Sequence, residues 1–251
     1  MPFAVYPTVA DEVVRYLDDG TFAEASGSGA GALTLLNGTE RWTDILPGVS
    51  AFAFDETPTR LGPVGTYAPF QIAGAVTVEC IFRAFELPAA SDHWSLIVHE
   101  AAGDTSGANT LWSLKLWNNY SLAGSPPVAT FGFMHESGSG ADNYLAATDH
   151  SIEVGGVYHL VARRGAASGG MQTVDLFLNR QLVATGSLTQ ASGGTTSTLL
   201  RVGNNPDGLG ASAVSGAIGF IRVCSRALSD AEIEAAYDAT LGGVFGARLS
   251  P

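Results

Sequence analysis

Apolar and polar residues alternate along most of this chain in short runs, and Gly/Ser-rich segments separate the runs. A two-residue period with β-branched and aromatic side chains predicts strands that bury one face. Segments such as residues 135–142 and 189–197 between the runs have the composition of turns and loops. The clearest predicted strands are residues 50–54, 75–82, 111–117, 128–133, 158–163, 174–179 and 217–223.

One late segment has helical spacing instead. Ser229 and Glu232 form the S-x-x-E pattern of a capping box, and Leu228 and Ile233 are placed as a hydrophobic staple. Gly242 stands where a C-terminal cap is expected. We therefore predict an all-β protein, a two-sheet antiparallel jelly-roll sandwich with one short C-terminal helix. No linker divides the chain, so we expect a single domain over residues 1–251 with a core at about 5–241.

Composition and charge narrow the range of partners. The chain has 251 residues, of which 46% are hydrophobic, and its net charge is −12 with Lys115 as the single lysine. A phosphate backbone needs basic contacts, so we expect no nucleic-acid partner. The sequence also lacks a run of 18 apolar residues, so we expect no insertion into a membrane.

Several segments resemble the laminin-G-like, concanavalin-A-like jelly rolls. The strongest match is residues 215–237, where a Gly-x-Ile strand precedes an Arg-Ala-Leu-Ser-x-x-Glu-Ile helix start. Matching strands precede it in the same order, so the resemblance covers roughly residues 5–241. It implies the jelly-roll fold, but this fold carries lectins, adhesion modules, glycosidases and structural parts.

The chain departs from the family pattern at a few positions. Val157 stands where the family often has Trp, and Asn179-Arg180 replaces the usual Asp-Gly of a hairpin. Gly219 and Phe220 stand where the family often has an acidic pair. This departure weakens the structural calcium site that the resemblance implies.

Calcium is nevertheless a candidate cofactor, because some oxygen ligands of the right chemistry are present. Asp55 matches an acidic position of the family. Asn204, Asn205 and Asp207 in the G-N-N-P-D-G segment could hold a cation or a sugar, although a Pro-Asp-Gly turn explains the same residues.

The sequence does not present a catalytic site. Glycosidases of this fold carry E-x-D-x-x-E on one strand, and no glutamate here fits that pattern. No G-x-S-x-G elbow or phosphate loop is present. Of the five histidines, His159 is expected to be structural, and His135 stands beside a Gly-rich loop where it is either structural or a ligand contact. We therefore expect no enzyme activity.

A glycan-binding surface is the better hypothesis. The alternation in residues 110–122 places Trp117 on the polar face of a strand, beside Lys115. An exposed aromatic next to amides suits stacking on a sugar, although an edge or interface tryptophan would show the same pattern. The candidate ligand contacts are Trp117, Asn118, Asn119 and Tyr120, which we expect to turn the chain, and Asp142, Asn143 and Tyr144, which we expect in a loop.

The two cysteines leave two readings open. Cys80 and Cys224 both lie in apolar, strand-like segments, and they are either buried free thiols or one disulfide.

The family is mainly extracellular, whereas the numbered chain starts without a signal peptide. A phage virion protein that decorates the capsid, forms a head fibre or serves in tail adhesion is consistent with both observations. A secreted bacterial module is the alternative origin. The partners are then a glycan or host-surface ligand, or neighbouring virion subunits, and a homo-oligomer is compatible with both. The alternatives in function are a purely structural assembly protein, a carbohydrate-binding module and a divergent glycosidase.

Overall fold

Strands dominate the computed structural model of the chain. It describes residues 10–16, 33–37, 42–46, 49–55, 60–63, 70, 72–88, 93–101, 110–120, 128–136, 142–191, 198–203 and 214–242. All seven runs that the alternation picked out contribute to strands. The strands are β1 (Glu12–Tyr16), β2 (Leu33–Asn37), β3 (Trp42–Leu46), β4 (Val49–Asp55), β5 (Arg60–Pro63), β6 (Val76–Ala84), β7 (His93–Ala101), β8 (Thr110–Tyr120), β9 (Val128–Glu136), β10 (Asp142–Ala146), β11 (Val157–Arg164), β12 (Met171–Leu178), β13 (Gln181–Thr189), β14 (Thr198–Val202) and β15 (Ser215–Cys224).

These strands form two antiparallel sheets, which confirms the predicted all-β sandwich. The eight-stranded sheet has the order β13-β12-β11-β6-β15-β4-β3, and β1 pairs with the far half of β15. The seven-stranded sheet has the order β10-β9-β8-β7-β14-β5-β2. Neighbours that are distant in sequence, such as β6 beside β15, are typical of a jelly roll rather than a meander.

Alternate residues of both sheets meet in one hydrophobic core. Phe82 and Leu160 of the eight-stranded sheet belong to the same buried cluster as Leu114 and Phe133 of the seven-stranded sheet. Full burial of one such side chain is worth about 1.5–3 kcal/mol. The core therefore fixes which face of each strand points inward.

A C-terminal helix, α1 (Asp230–Tyr237), covers the outer face of the eight-stranded sheet. Its capping box is formed as predicted. The Ser229 side chain accepts a hydrogen bond from the Glu232 amide, and the Glu232 side chain accepts one from the Ser229 amide. Leu228 and Ile233 are buried in one cluster, which confirms the staple. The expected cap at Gly242 is wrong, because the helix ends at Tyr237 and widens into a π-helical turn, Asp238–Gly242.

The hairpin between β12 and β13 accepts the unusual Asn179-Arg180 pair. Both residues have positive φ, 49° and 66°, as a primed hairpin turn requires. The Asn179 side chain also accepts a hydrogen bond from the His159 amide at 2.9 Å. This contact helps to hold an asparagine where the family usually has a different residue.

Both cysteines are buried free thiols. Cys80 lies in the inter-sheet core and pairs with Ile221, whereas Cys224 lies three positions further along β15 in the cluster beneath α1. The two side chains thus project to opposite faces of the sheet, which rules out the disulfide alternative. Burial raises the pKa of the Cys224 thiol to about 12.

A polar link joins the two sheets at one end of the core. A guanidinium only donates, so Nδ1 of His135 on β9 accepts from Arg164 Nη1 on β11 at 3.2 Å. The ring proton then lies on Nε2, which donates to the Thr189 carbonyl on β13 at 2.6 Å. Burial and the charge of Arg164 lower the pKa of His135 to about 4. His135 is therefore a neutral structural residue. It is buried and does not belong to an exposed site.

This link makes stability depend on pH in a defined window. The folded state binds the His135 proton less tightly than the unfolded chain, whose histidine pKa is about 6.5. The stability that depends on neutral His135 is therefore fully present above about pH 6.5 and is lost as the pH falls to about 4. Urea unfolding at several pH values should show this loss in the wild type and a smaller loss in His135→Gln. Equal losses in both proteins would contradict the assignment.

Candidate functional site

The strand β8 presents two chemically different faces. Its inward residues are fully buried, and its other face carries Ser113, Lys115 and Trp117, as the alternation predicts. Trp117 is half-buried and belongs to none of the hydrophobic clusters found in the described part of the chain. The inward residues are Trp112, Leu114 and Leu116.

The register of β9 and β10 extends this second face, here named the outer face of the seven-stranded sheet. Trp117 pairs with Thr130, and Lys115 pairs with Gly132. On the far side of β9, Tyr144 pairs with Met134. Because paired residues of an antiparallel sheet project to the same side, all of them lie on the outer face.

Trp117 and Tyr144 meet across β9, and we refer to them as the aromatic pair. Their ring centroids lie 6.1 Å apart, and the ring planes are inclined by 42°. Tyr144 is 52% exposed and is among the most exposed large apolar side chains in the described ranges. The structure thus brings together two residues that the sequence placed in separate candidate segments.

Gly132 provides the space that the aromatic pair occupies. A Cβ atom at this position would lie 2.5 Å from Trp117 Cζ3 and 2.2 Å from the Leu145 carbonyl oxygen. The indole therefore reaches over the glycine toward Tyr144. Gly132 is not among the residues that the sequence pattern singled out, although a glycine inside a strand pattern signals a close approach of this kind.

Two of the predicted local structures around the pair are wrong. Asn118, Asn119 and Tyr120 do not turn the chain but continue β8, because Tyr120 pairs with Val128 after a bulge. Their side chains lie outside the described part. Residues 142–144 are not a loop but the start of β10, because pairing with β9 outweighs the turn preference of Asp and Asn.

The structure describes the side chain of Asn143 but not that of Asp142. Asn143 pairs with His135, so its side chain projects to the side opposite Tyr144. The backbone of Asp142 pairs with Glu136, and its side chain is outside the described part. The aromatic pair is therefore the part of the candidate site whose geometry is defined.

Lys115 adds a cation to the same face. Its side chain is only 6% exposed, and its neighbours in register are Ser95 on β7 and Gly132 on β9. Thr130, beside Trp117, is fully buried and donates to the Ala147 carbonyl at 2.5 Å. The residues packed beside Trp117 on this face are thus polar and largely buried.

A buried charged cluster lies on the other sheet, beneath α1. Glu79 forms an ion pair with Arg222 and a hydrogen bond with His159 Nε2 at 3.2 Å, and all three side chains are inaccessible to solvent. Burial alone would raise the pKa of Glu79, but the charge of Arg222 and the His159 hydrogen bond outweigh it and leave that pKa lowered. An ionised, enclosed carboxylate of this kind cannot protonate a leaving group, and His159 is structural as expected.

The candidate metal ligands are not brought together in what the structure describes. Asp55 ends β4 with its backbone paired to Ser215, and its side chain is not described. Asn204, Asn205 and Asp207 lie outside the described residues. Within the described ranges, no three His, Cys, Asp or Glu side chains lie close enough to hold a metal ion. In the same ranges no helix is long and apolar enough to cross a membrane.

Comparison with known proteins agrees with this geometry at the level of the fold. A family model described as the concanavalin A-like lectin/glucanases superfamily matches residues 64–234. No curated protein matches the sequence.

Solved structures with the same fold share little sequence identity with the chain. Domain 4 of AbnA, an extracellular GH43 arabinanase from Geobacillus stearothermophilus solved with arabinotriose, has a TM-score of 0.61 at 14% identity, over 90% of this chain and 98% of that one. The binding domain of Paraclostridial Mosquitocidal Protein 1 has a TM-score of 0.65 at 12% identity, over 91% of this chain. The binding domain of botulinum neurotoxin DC in complex with SialylT has a TM-score of 0.61 at 10% identity, over 92% of this chain. The chain spans about half (52%) of each of these two toxin domains.

Gly132→Ala should disturb the aromatic pair. The added methyl group overlaps both Trp117 and the backbone of β10, and overpacking of this kind costs about 1–3 kcal/mol. Urea unfolding and near-ultraviolet circular dichroism report the stability and the aromatic environment. Gly74→Ala is the matched control, because a Cβ there meets no atom within 4 Å. Equal behaviour of the two variants would show that Trp117 does not lie over Gly132.

Glu79→Ala should be strongly destabilising, by about 3–5 kcal/mol, because it leaves Arg222 buried without its carboxylate. The double variant Glu79→Met with Arg222→Met should lose less than Glu79→Ala alone, since no charge then remains uncompensated. Chemical unfolding of the three proteins measures both effects. A single variant within 1 kcal/mol of wild type, roughly the value of an exposed pair, would contradict the buried cluster.

Proposed function

The chain belongs to the concanavalin A-like lectin/glucanase superfamily, and on this premise we propose that it is a non-catalytic module that binds a glycan. The binding surface is the outer face of the seven-stranded sheet. The observation that carries the proposal is the aromatic pair, Trp117 and Tyr144, which meets 6.1 Å apart on that face with Tyr144 52% exposed.

The chemistry of the pair suits a sugar. Tryptophan and tyrosine offer large, rigid apolar faces together with a polar tip, so they stack on the C–H face of a pyranose while hydroxyl groups remain available for hydrogen bonds. An aromatic surface with a few polar groups beside it is the general pattern of small-ligand sites. Lys115 lies on the same face, two positions from Trp117.

The buried carboxylate of Glu79 is not placed for hydrolysis. Glycoside hydrolysis needs two carboxyl groups on either side of the scissile bond. Glu79 is enclosed beneath α1 on the opposite sheet and is committed to Arg222 and His159. The similar structures add support, because they include a domain solved with arabinotriose and toxin binding domains.

The proposal extends to where binding occurs. We place the protein outside the cell or on a virion surface, with a phage capsid, head fibre or tail as the setting. The similar structures come from an extracellular arabinanase and from toxin binding domains, which supports an external role. Calcium belongs to the proposal only as a candidate cofactor at Asp55 and residues 204–207. Peptide mass spectrometry of purified particles and of culture supernatant tests the setting.

A broad glycan panel, measured with calcium and with a chelator, tests the binding itself. We expect saturable, competable binding that Trp117→Ala weakens by about 1–3 kcal/mol, or roughly fivefold to 150-fold. Loss of binding with chelator would support the calcium site, and binding that ignores the chelator would argue against it.

Leu182→Ala is the matched control, because Leu182 is 53% exposed but lies on β13 of the other sheet. The absence of any binding at millimolar sugar, together with a stable symmetric oligomer, would overturn the lectin proposal in favour of a purely structural assembly protein. Release of reducing sugar would instead identify a divergent glycosidase.

A further inference from the structure

The two rings of the aromatic pair do not form one flat platform. Their planes are inclined by 42°, and Trp117 stands on β8 whereas Tyr144 stands on β10, with β9 between them. A ligand that touches both rings must therefore present two apolar surfaces that are turned relative to each other.

The position of Trp117 makes the contact between the rings possible. The absence of a Cβ at Gly132 lets Trp117 lean across the intervening strand, so the two rings meet instead of standing apart. The 42° between the ring planes describes how these two side chains pack against each other.

Sugar chains differ in this same property. In a flat ribbon of β-1,4-linked glucose, successive rings are flipped about the chain axis, and their mean planes stay parallel. In β-1,3- and α-1,4-linked glucans, the linkage turns each ring plane relative to the previous one, and the chain coils. A coiled chain presents consecutive sugars at an inclination that matches two inclined rings, whereas a flat ribbon must first twist to do so.

We infer that the aromatic pair selects coiled glycan chains of at least two sugars over flat, ribbon-like chains. The inference rests on the proposed function, and it adds the class of glycan. Trp117 and Tyr144 then hold consecutive or nearby sugars, and the inclination of their rings sets the specificity.

The test compares laminarihexaose (β-1,3), maltohexaose (α-1,4) and cellohexaose (β-1,4) by titration calorimetry on the full chain. We expect at least one coiled hexaose to bind about tenfold or more tightly than cellohexaose and than glucose. Tyr144→Ala should reduce this preference to less than about threefold, whereas Tyr144→Phe, which keeps the ring, should retain it. A general loss of folding would not change the ratio of affinities selectively, and Leu182→Ala controls for the loss of an exposed apolar side chain.

The outcomes separate this inference from the proposed function. Cellohexaose binding as tightly as the coiled chains would overturn the inference and leave the glycan-binding proposal intact. Glucose binding as tightly as a hexaose would also overturn it, because one ring would then suffice. No binding of any of these sugars, with none on the broad panel, would overturn both.

Discussion

The two-residue period of a β-strand ties the site to the core. Leu114 and Leu116 of β8 must point inward to pack with Phe133 and the opposite sheet, so Lys115 and Trp117 must point outward. A slip of one residue would exchange the two sets and bury a lysine in the core, which makes the register strongly specified. The outer face is therefore as well defined as the core, although it contributes nothing to it.

The same sheet supplies the shape of the surface. Three adjacent strands bring Trp117, Gly132 and Tyr144 into one diagonal, and the two aromatic rings pack there with their planes inclined by 42°. Elsewhere two polar networks connect parts of the fold: the His135–Arg164 link between the sheets and the Glu79 cluster beneath α1. Both polar networks are enclosed, so they hold the sandwich together without offering a ligand an accessible group. The buried charged groups thus lie apart from the aromatic pair, in which Trp117 is half-buried and Tyr144 is exposed.

How far the sequence predicts these features depends on whether each one is local. The seven predicted strands and the capping box at Ser229 depend on neighbours within a few residues, and they are found where the pattern places them. The outward position of Trp117 also follows from alternation along a single strand. The meeting of Trp117 with Tyr144 does not, because it depends on how β9 pairs with both neighbours. Asp142 and Asn143 have strong turn preferences, and only the ladder to β9 places them in a strand. Likewise, the order of the strands brings Glu79 beside Arg222 and His159, and no local sequence pattern encodes that order.

The most direct test of a glycan site on the outer face is the indole N–H spectrum of the four tryptophans during titration with laminarihexaose. Trp112 serves as an internal reference, because its indole donates to the Phe70 carbonyl in the core at 3.3 Å. The account predicts a progressive, saturable shift of the Trp117 resonance, identified by its loss in Trp117→Phe, while the Trp112 resonance stays in place. A Trp117 resonance that stays in place while that of Trp42, on the other sheet, shifts would contradict it. A spectrum that changes neither with laminarihexaose nor, in a second titration, with maltohexaose up to millimolar concentration would contradict it as well.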